Sequence, residues 1–293
     1  MDHLSPKTKR LIEILAVPSF FAAEDLMVDK IVSILKEKNL EYNVDEIGNI
    51  TVTKGVADVY PCVVAHTDTV HQIVDYDVHI RNNDNELYAL TKRGVETGIG
   101  GDDKAGVFVC LELLDTFDAI KAVFVVGEEY GMYGSRSVDP EFFSNVGYAL
   151  QFDAPYVDWL SFTCSGVQLF DPNGQFFKTC EPIFEKHWGY KPKLSRHPYT
   201  DVRALKQRFD FSCINFSVGY HNMHSVKEFV NIEECFNALE LAKELIENLG
   251  NNKYQFVAPL VEDTSYPISS IKADFIQKKA QHKKLGEHPA LIY

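Results

Sequence analysis

Four short, largely apolar runs, PCVVA (61–65), KAVFVV (121–126), GYALQFD (147–153) and CINFSVG (213–219), constrain this chain more than any other feature. Runs of this length, rich in β-branched and aromatic residues, read as strands buried on both faces, and only a sheet covered by helices on each side supplies that environment. Helical spacing fills the intervals. Leu11, Ile12 and Leu15 predict a helix over 5–16, and Leu26, Ile31, Val32 and Leu35 one over 23–38. Pro18 and Ser19 break between them, with Ser19 expected to cap the approach to the second helix. Val107, Phe108, Cys110, Leu111 and Leu114 predict a helix from Asp103 to Phe117. Asn231–Leu249 reads as an amphipathic helix, opened by Asn231 and Glu234 in a capping-box-like start and stopped by Gly250. EYNVDEI and ITVTK read as a strand pair turning at Gly48–Asn49. Strands alternating with helices imply an α/β fold, a three-layer sandwich around a mixed, largely parallel central sheet.

In such sheets ligands sit beyond the carboxyl ends of the strands. His66 and Asp68 follow the first run, Glu128 and Glu129 the second, Asp153 ends the third, and His224 lies just past the fourth. Within AHTDTV, His66 and Asp68 share one side of an extended segment. If His66 binds a metal, Asp68 can accept from its other ring nitrogen and fix the tautomer. In GIGGDDKAG the glycines allow a tight turn into a helix that begins at the carboxylates. Helix capping is one reading of those acids. The other shares Asp102 between two metals, with Asp103 capping and Lys104 structural.

GEEYGMYGS sets two acids after an apolar strand. They form either a solvated loop or one face of a site where cations offset their repulsion. Neighbours on an extended chain point in different directions. That suits Glu129 as a ligand and Glu128 as the base that takes a proton from an activated water. Asp153 and His224 complete the set, and His221 competes with His224 because both follow the same strand.

A net charge of −13 excludes a phosphate-backbone binder, so no nucleic-acid partner is expected. The first twenty residues lack a secretory signal, and no run approaches the length of a membrane span. The six cysteines form no CxxC pair and several lie in apolar runs, which reads as buried, reduced thiols in a soluble cytoplasmic protein. Residues 251–293 lose clear periodicity and read either as a tail packed on the surface or as an oligomer contact.

Taken together, VPS (17–19), DEIGNI (45–50), HTDTV (66–70), GGDDKAG (100–106), GEEYGMYGS (127–135), QFD (151–153), YTDVRAL (199–205) and HSVKEFV (224–230) resemble the di-zinc exopeptidases and deacylases. That family includes peptidase T, acetylornithine deacetylase and the glutamate carboxypeptidases, and the segments look closest to peptidase T. The match covers nearly all of residues 5–250, in the family's order. The resemblance implies two divalent cations, zinc with cobalt or manganese as substitutes. His66 and Asp153 would bind one, Glu129 and His224 the other. Asp102 would bridge them, Asp68 would orient His66, and Glu128 would be the general base.

Family members usually insert a lid or dimerisation domain after the position of Asp153; here only Ala154–Tyr199 fills that interval. It reads as one strand (LSFTCSGVQLF) and one helix (FFKTCEPIFEKHW) kinked at Pro182. The expectation is therefore a single catalytic domain over 1–250 without a lid, followed by an extension over 251–293. His197, Tyr199 and Tyr220 are the candidates for a donor to the oxyanion. The implied activity is cleavage of short peptides by an aminopeptidase, in a chain that could form a homo-oligomer. An N-acyl amino acid deacylase is the alternative, and a catalytically silent metal-binding or assembly protein the reading from another class.

Overall fold

The computed structural model describes residues 4–81, 83–259 and 267–286. A nine-stranded sheet forms its centre. Across it run Tyr42–Val44, Ile50–Lys54, Ile120–Val125, Tyr60–His66, Val146–Ala154, Ser212–Ser217, Leu160–Cys164 and Val167–Gln168, with Leu194–His197 also paired to Leu160–Cys164. The four strands expected from the apolar runs are the mutually parallel centre. Every residue in them is buried, which is why they read as unbroken rather than alternating.

Helices flank the sheet on both sides and complete a three-layer α/β sandwich. Gly101–Thr116 is buried along almost its whole length; Pro6–Leu15 and Ile232–Leu249 pack against it, and Gln175–Trp188 packs against the latter. A second group comprises Asp201–Arg208, Tyr133–Ser137 and, against the last, Ile268–Gly286. The caps follow side-chain chemistry: Thr8 N donates to Ser5 Oγ, and Glu234 N to Asn231 Oδ1 at 3.1 Å. The turn at Gly48–Asn49 is closed by Asp45 Oδ1, which accepts from the amides of Ile47, Gly48 and Asn49.

Several expectations change. Ser19 does not cap the second helix, which spans Asp25–Glu37 and starts too far downstream. Its hydroxyl donates instead to Thr67 O, and its carbonyl accepts from Thr69 Oγ1 at 2.6 Å, so it ties down the segment after His66. LSFTCSGVQLF is two strands, because Ser165 and Gly166 both take positive φ and turn the chain back. The helix Gln175–Trp188 continues through Pro182. A second, five-stranded sheet is also present. Tyr220–His221, Phe229–Asn231, Glu86–Thr91 and Tyr76–Arg81 form it in that order, with Glu96–Thr97 beside Glu86–Thr91.

The segment Ile268–Gly286 is helical, and Ile271 and Phe275 bury against Ala22, Val126 and Tyr133 in a small cluster of their own. All six cysteines are free and buried. Among the described residues no helix is long and apolar enough to cross a membrane.

Candidate metal centre

The sequence-selected residues meet at the carboxyl edge of the parallel strands. His66 is the last residue of its strand, Asp153 the penultimate one of Val146–Ala154, and Glu128 and Glu129 lie in the loop after Ile120–Val125. Gly100 adopts φ +69 and turns the chain into Gly101–Thr116, whose Asp102 and Asp103 keep non-helical backbone angles; the peptide bond joining those two is cis. His224 sits between Tyr220–His221 and Phe229–Asn231 with φ +59, so the small sheet delivers it.

Asp102 lies between two groups of donors. Its Oδ1 is 3.1 Å from His66 Nε2, which is also 3.7 Å from Asp153 Oδ1. Its Oδ2 is 3.2 Å from His224 Nε2, which is 3.1 Å from Glu129 Oε1. Three sets, His66–Asp102–Asp153, His66–Glu128–Glu129 and Asp102–Glu129–His224, each bring their donor atoms within 4.8 Å of one another. His66 Nδ1 donates to Asp68 O at 3.0 Å, which aims Nε2 at Asp102 and Asp153. This mixture of imidazole and carboxylate, with one carboxylate common to both groups, fits a pair of divalent cations. His221 is elsewhere, bound to Glu234, whereas His224 lies against Asp102 and Glu129.

The carboxylate of Asp68 faces both His66 and the acidic loop. Although Oδ1 lies 3.4 Å from His66 Nδ1, the closer partner of that nitrogen is Asp68's own carbonyl. The carboxylate accepts from Glu128 N at 2.9 Å and Glu129 N at 3.2 Å, and so fixes the backbone of the acidic pair. Asp103 accepts from His66 N and Gly106 N, joining strand to helix. The buried Lys104 donates to Leu15 O, Ile99 O and Tyr76 Oη, a structural role as expected.

Other supporting residues had no local signal, because their partners lie far away in sequence. Glu228, fully buried, accepts from Gly100 N, Asp102 N and His71 Nε2. Glu24 accepts from Gly127 N. Behind Asp153, Thr200 Oγ1 donates to its Oδ2 at 2.9 Å, Asn215 accepts from its amide, and Tyr220 Oη donates to its Oδ1 at 3.3 Å.

This concentration of acids shapes the local electrostatics. Burial pushes the Glu128 carboxyl well above the usual range, with Asp153, Asp201 and Glu129 adding to the effect. Burial and Asp102 raise Glu129 to about 7. The bonds to Asp102 and Glu129 lift His224 to about 10, and those to Asp102, Asp153 and Asp68 overcome burial to raise His66. Protons on the histidines hold this carboxylate cluster together, a task that cations perform with more charge.

The donors open on a cavity of about 640 Å³, within the range of sites for small ligands. His197, Tyr199 and Tyr220 all line it, as do Tyr130, Met223 and, from the C-terminal helix, Ile271. His197 Nδ1 donates to Tyr199 O at 2.8 Å, so only its charged ring has a second proton to give.

The architecture matches the fold of solved aminopeptidases. An aminopeptidase PepT from Bacillus cereus ATCC 10987 matches with TM-score 0.71 at 14% identity, covering 83% of this chain and 98% of that one. A tripeptidase from Staphylococcus aureus subsp. aureus Mu50 matches with TM-score 0.69 at 13% identity, over 82% and 97%. The TET1 peptidase of Pyrococcus horikoshii matches with TM-score 0.54 at 16% identity, over 82% and 98%. The likeness at these identities is one of fold. No family profile and no curated protein matches the sequence.

Proposed function

We propose that this chain is a two-metal aminopeptidase that removes the amino-terminal residue of short peptides. One observation carries the reading: the two oxygens of Asp102 face two separate donor groups, His66 with Asp153 and His224 with Glu129. A shared carboxylate between two imidazole–carboxylate groups has an obvious use when each group holds a cation. His66 and Asp153 would hold one, Glu129 and His224 the other, with zinc the best fit to the donors.

Two divalent cations in that place supply Lewis acidity towards a peptide carbonyl and towards water. The chain's own residues do the rest. Glu128 accepts a proton from the attacking water and returns it to the leaving amine. Asp68 holds Glu128 and Glu129 in register through their amides. Thr200, Asn215 and Tyr220 fix Asp153, and His197, which lines the cavity, is the candidate donor to the oxyanion. The free, buried thiols support a reducing compartment, the cytoplasm. A homo-oligomer is proposed from the likeness to the TET1 peptidase, which is described as assembling into a tetrahedron or octahedral shell; light scattering reads it.

The test is a panel of di- and tripeptides beside N-acyl amino acids, assayed with zinc-loaded and chelator-stripped protein. Release of the amino-terminal residue by the loaded form alone is expected. Hydrolysis of the acyl amino acids alone would make it a deacylase, and no metal-dependent hydrolysis of either would sink the reading.

A further inference from the structure

The helix Ile268–Gly286 does more than cover apolar surface. Ile271, 3% exposed, and Phe275, 2% exposed, seat it on Val126 and Tyr133, which flank the loop bearing Glu128 and Glu129. The fit is close: a Cβ on Gly131, two residues past Glu129, would lie 2.9 Å from Ile271 Cδ1. One turn further on, Lys278 Nζ lies over the rings of Tyr130 and Phe21. The same helix presents Ser270, Ile271 and Asp274 to the cavity that holds Asp102, Glu129, Asp153 and His224. Asp274 pairs at 3.2 Å with Lys278, which does not line the cavity.

We propose that this helix is a built-in wall of the catalytic cavity, and that Asp274 selects peptides carrying a cationic group along that wall. The inference rests on the peptidase reading and names the substrate feature that the reading leaves open. A carboxylate in a partly enclosed cavity binds ammonium or guanidinium more tightly than it does a neutral group, because its field is less screened there than at a free surface. Lys278, drawn towards the aromatic rings behind it, offsets part of that charge and holds the carboxylate in place. The apolar neighbours Ile271, Tyr130 and Met223 accept the uncharged remainder of a short peptide. Two parts of a peptide carry such a cation, its free α-amino group and a Lys or Arg side chain.

The experiment uses the full-length, zinc-loaded chain and its Glu128→Gln variant, which binds without turnover, each with and without Asp274→Asn. Calorimetry on the Glu128→Gln background compares Ala-Ala-Ala, its amine-free analogue propanoyl-Ala-Ala, Lys-Ala-Ala and Ala-Lys-Ala. If the α-amino group is the ligand, Ala-Ala-Ala outbinds propanoyl-Ala-Ala about tenfold, and Asp274→Asn removes the difference. If a side chain is the ligand, one lysine peptide outbinds Ala-Ala-Ala by a similar factor, again lost in Asp274→Asn. Asp274→Lys should reverse the order in favour of Ala-Glu-Ala over Ala-Lys-Ala. Turnover on the Glu128 background should show the same selectivity in KM, with metal content constant. Identical binding ratios with Asp and Asn at 274 overturn the selectivity. Peptide binding that depends on Asp274 without any hydrolysis would instead overturn the peptidase reading and leave this inference standing. Failure of every peptide to bind overturns both.

Discussion

Glu228 holds Asp102 by its backbone: Oε1 accepts from Asp102 N at 3.1 Å while Oε2 accepts from Gly100 N at 2.9 Å. The carboxylate thus spans the tight turn that presents the residue common to both donor groups. Glu228→Ala leaves two buried amides and His71 without their acceptor, at about 1–3 kcal/mol for each orphaned amide. Denaturant unfolding should show the loss, and titration should show both cations binding more weakly. Glu228→Gln should not rescue fully, because its NH2 would face an N–H. Unchanged stability and unchanged metal affinity in the alanine variant would mean the turn holds itself.

Reconstituted protein should contain about two zinc ions per chain by elemental analysis, on the reading that Asp102 serves two donor groups. Asp102→Ala should lower the count and abolish turnover. A saturated value of one would remove the bridge, and a value of zero the metal centre.

Glu128 and Glu129 are neighbours with different assignments, and their amide variants should part company. Glu128→Gln should retain both cations and lose about 10²–10⁴-fold in kcat, the range for a lost general base. Glu129→Gln should bind one cation less tightly. If both variants keep full metal content and full rate, the assignments are wrong.

Glu24 gives a pH signature in the metal-free protein. Burial, followed by the charge of Asp68, raises its carboxyl to about 8. A raised carboxyl favours folding below its unfolded value of about 4.3, and that contribution disappears as pH climbs through 8. Between pH 5 and 9 the wild type should lose on the order of 4 kcal/mol from this group. Glu24→Gln keeps an acceptor for Gly127 N and should flatten the decline, as thermal melts across that range would show.

The parts of this molecule legible in its sequence are those whose physics is local. Burial on both faces writes an unbroken apolar run, so the four central strands and the residues at their ends stood out. The Asn231 cap was visible because a cap needs only its own helix. Tyr76–Arg81 buries only Tyr76 and Val78, two alternating positions that are too few to stand apart from the turn residues that follow. Asp68 stood out beside His66 on the geometry of an extended segment, and its Oδ1 lies 3.4 Å from His66 Nδ1; the Glu128 and Glu129 amides that it also accepts from lie 60 and 61 residues on and leave no local signal. Glu228 and Glu24 act on backbone more than a hundred residues away, and nothing in their own neighbourhoods announces it. His221 and His224 follow one strand, and only the fold of the small sheet separates them.

That small sheet also sets a schedule. A polypeptide leaves the ribosome amino end first, and its domains fold as their parts emerge. His66, Asp102 and Asp153 are all made well before His224, whose loop is anchored when Phe229–Asn231 pairs with Glu86–Thr91. That pairing closes one of the longest loops in the chain, and long-range closure comes late and slowly. A nascent chain therefore assembles the His66 donor group first, and the His224 group only when the last strand docks. A ribosome-tethered fragment stopped between residues 200 and 220 would capture one zinc ion, and the complete chain two.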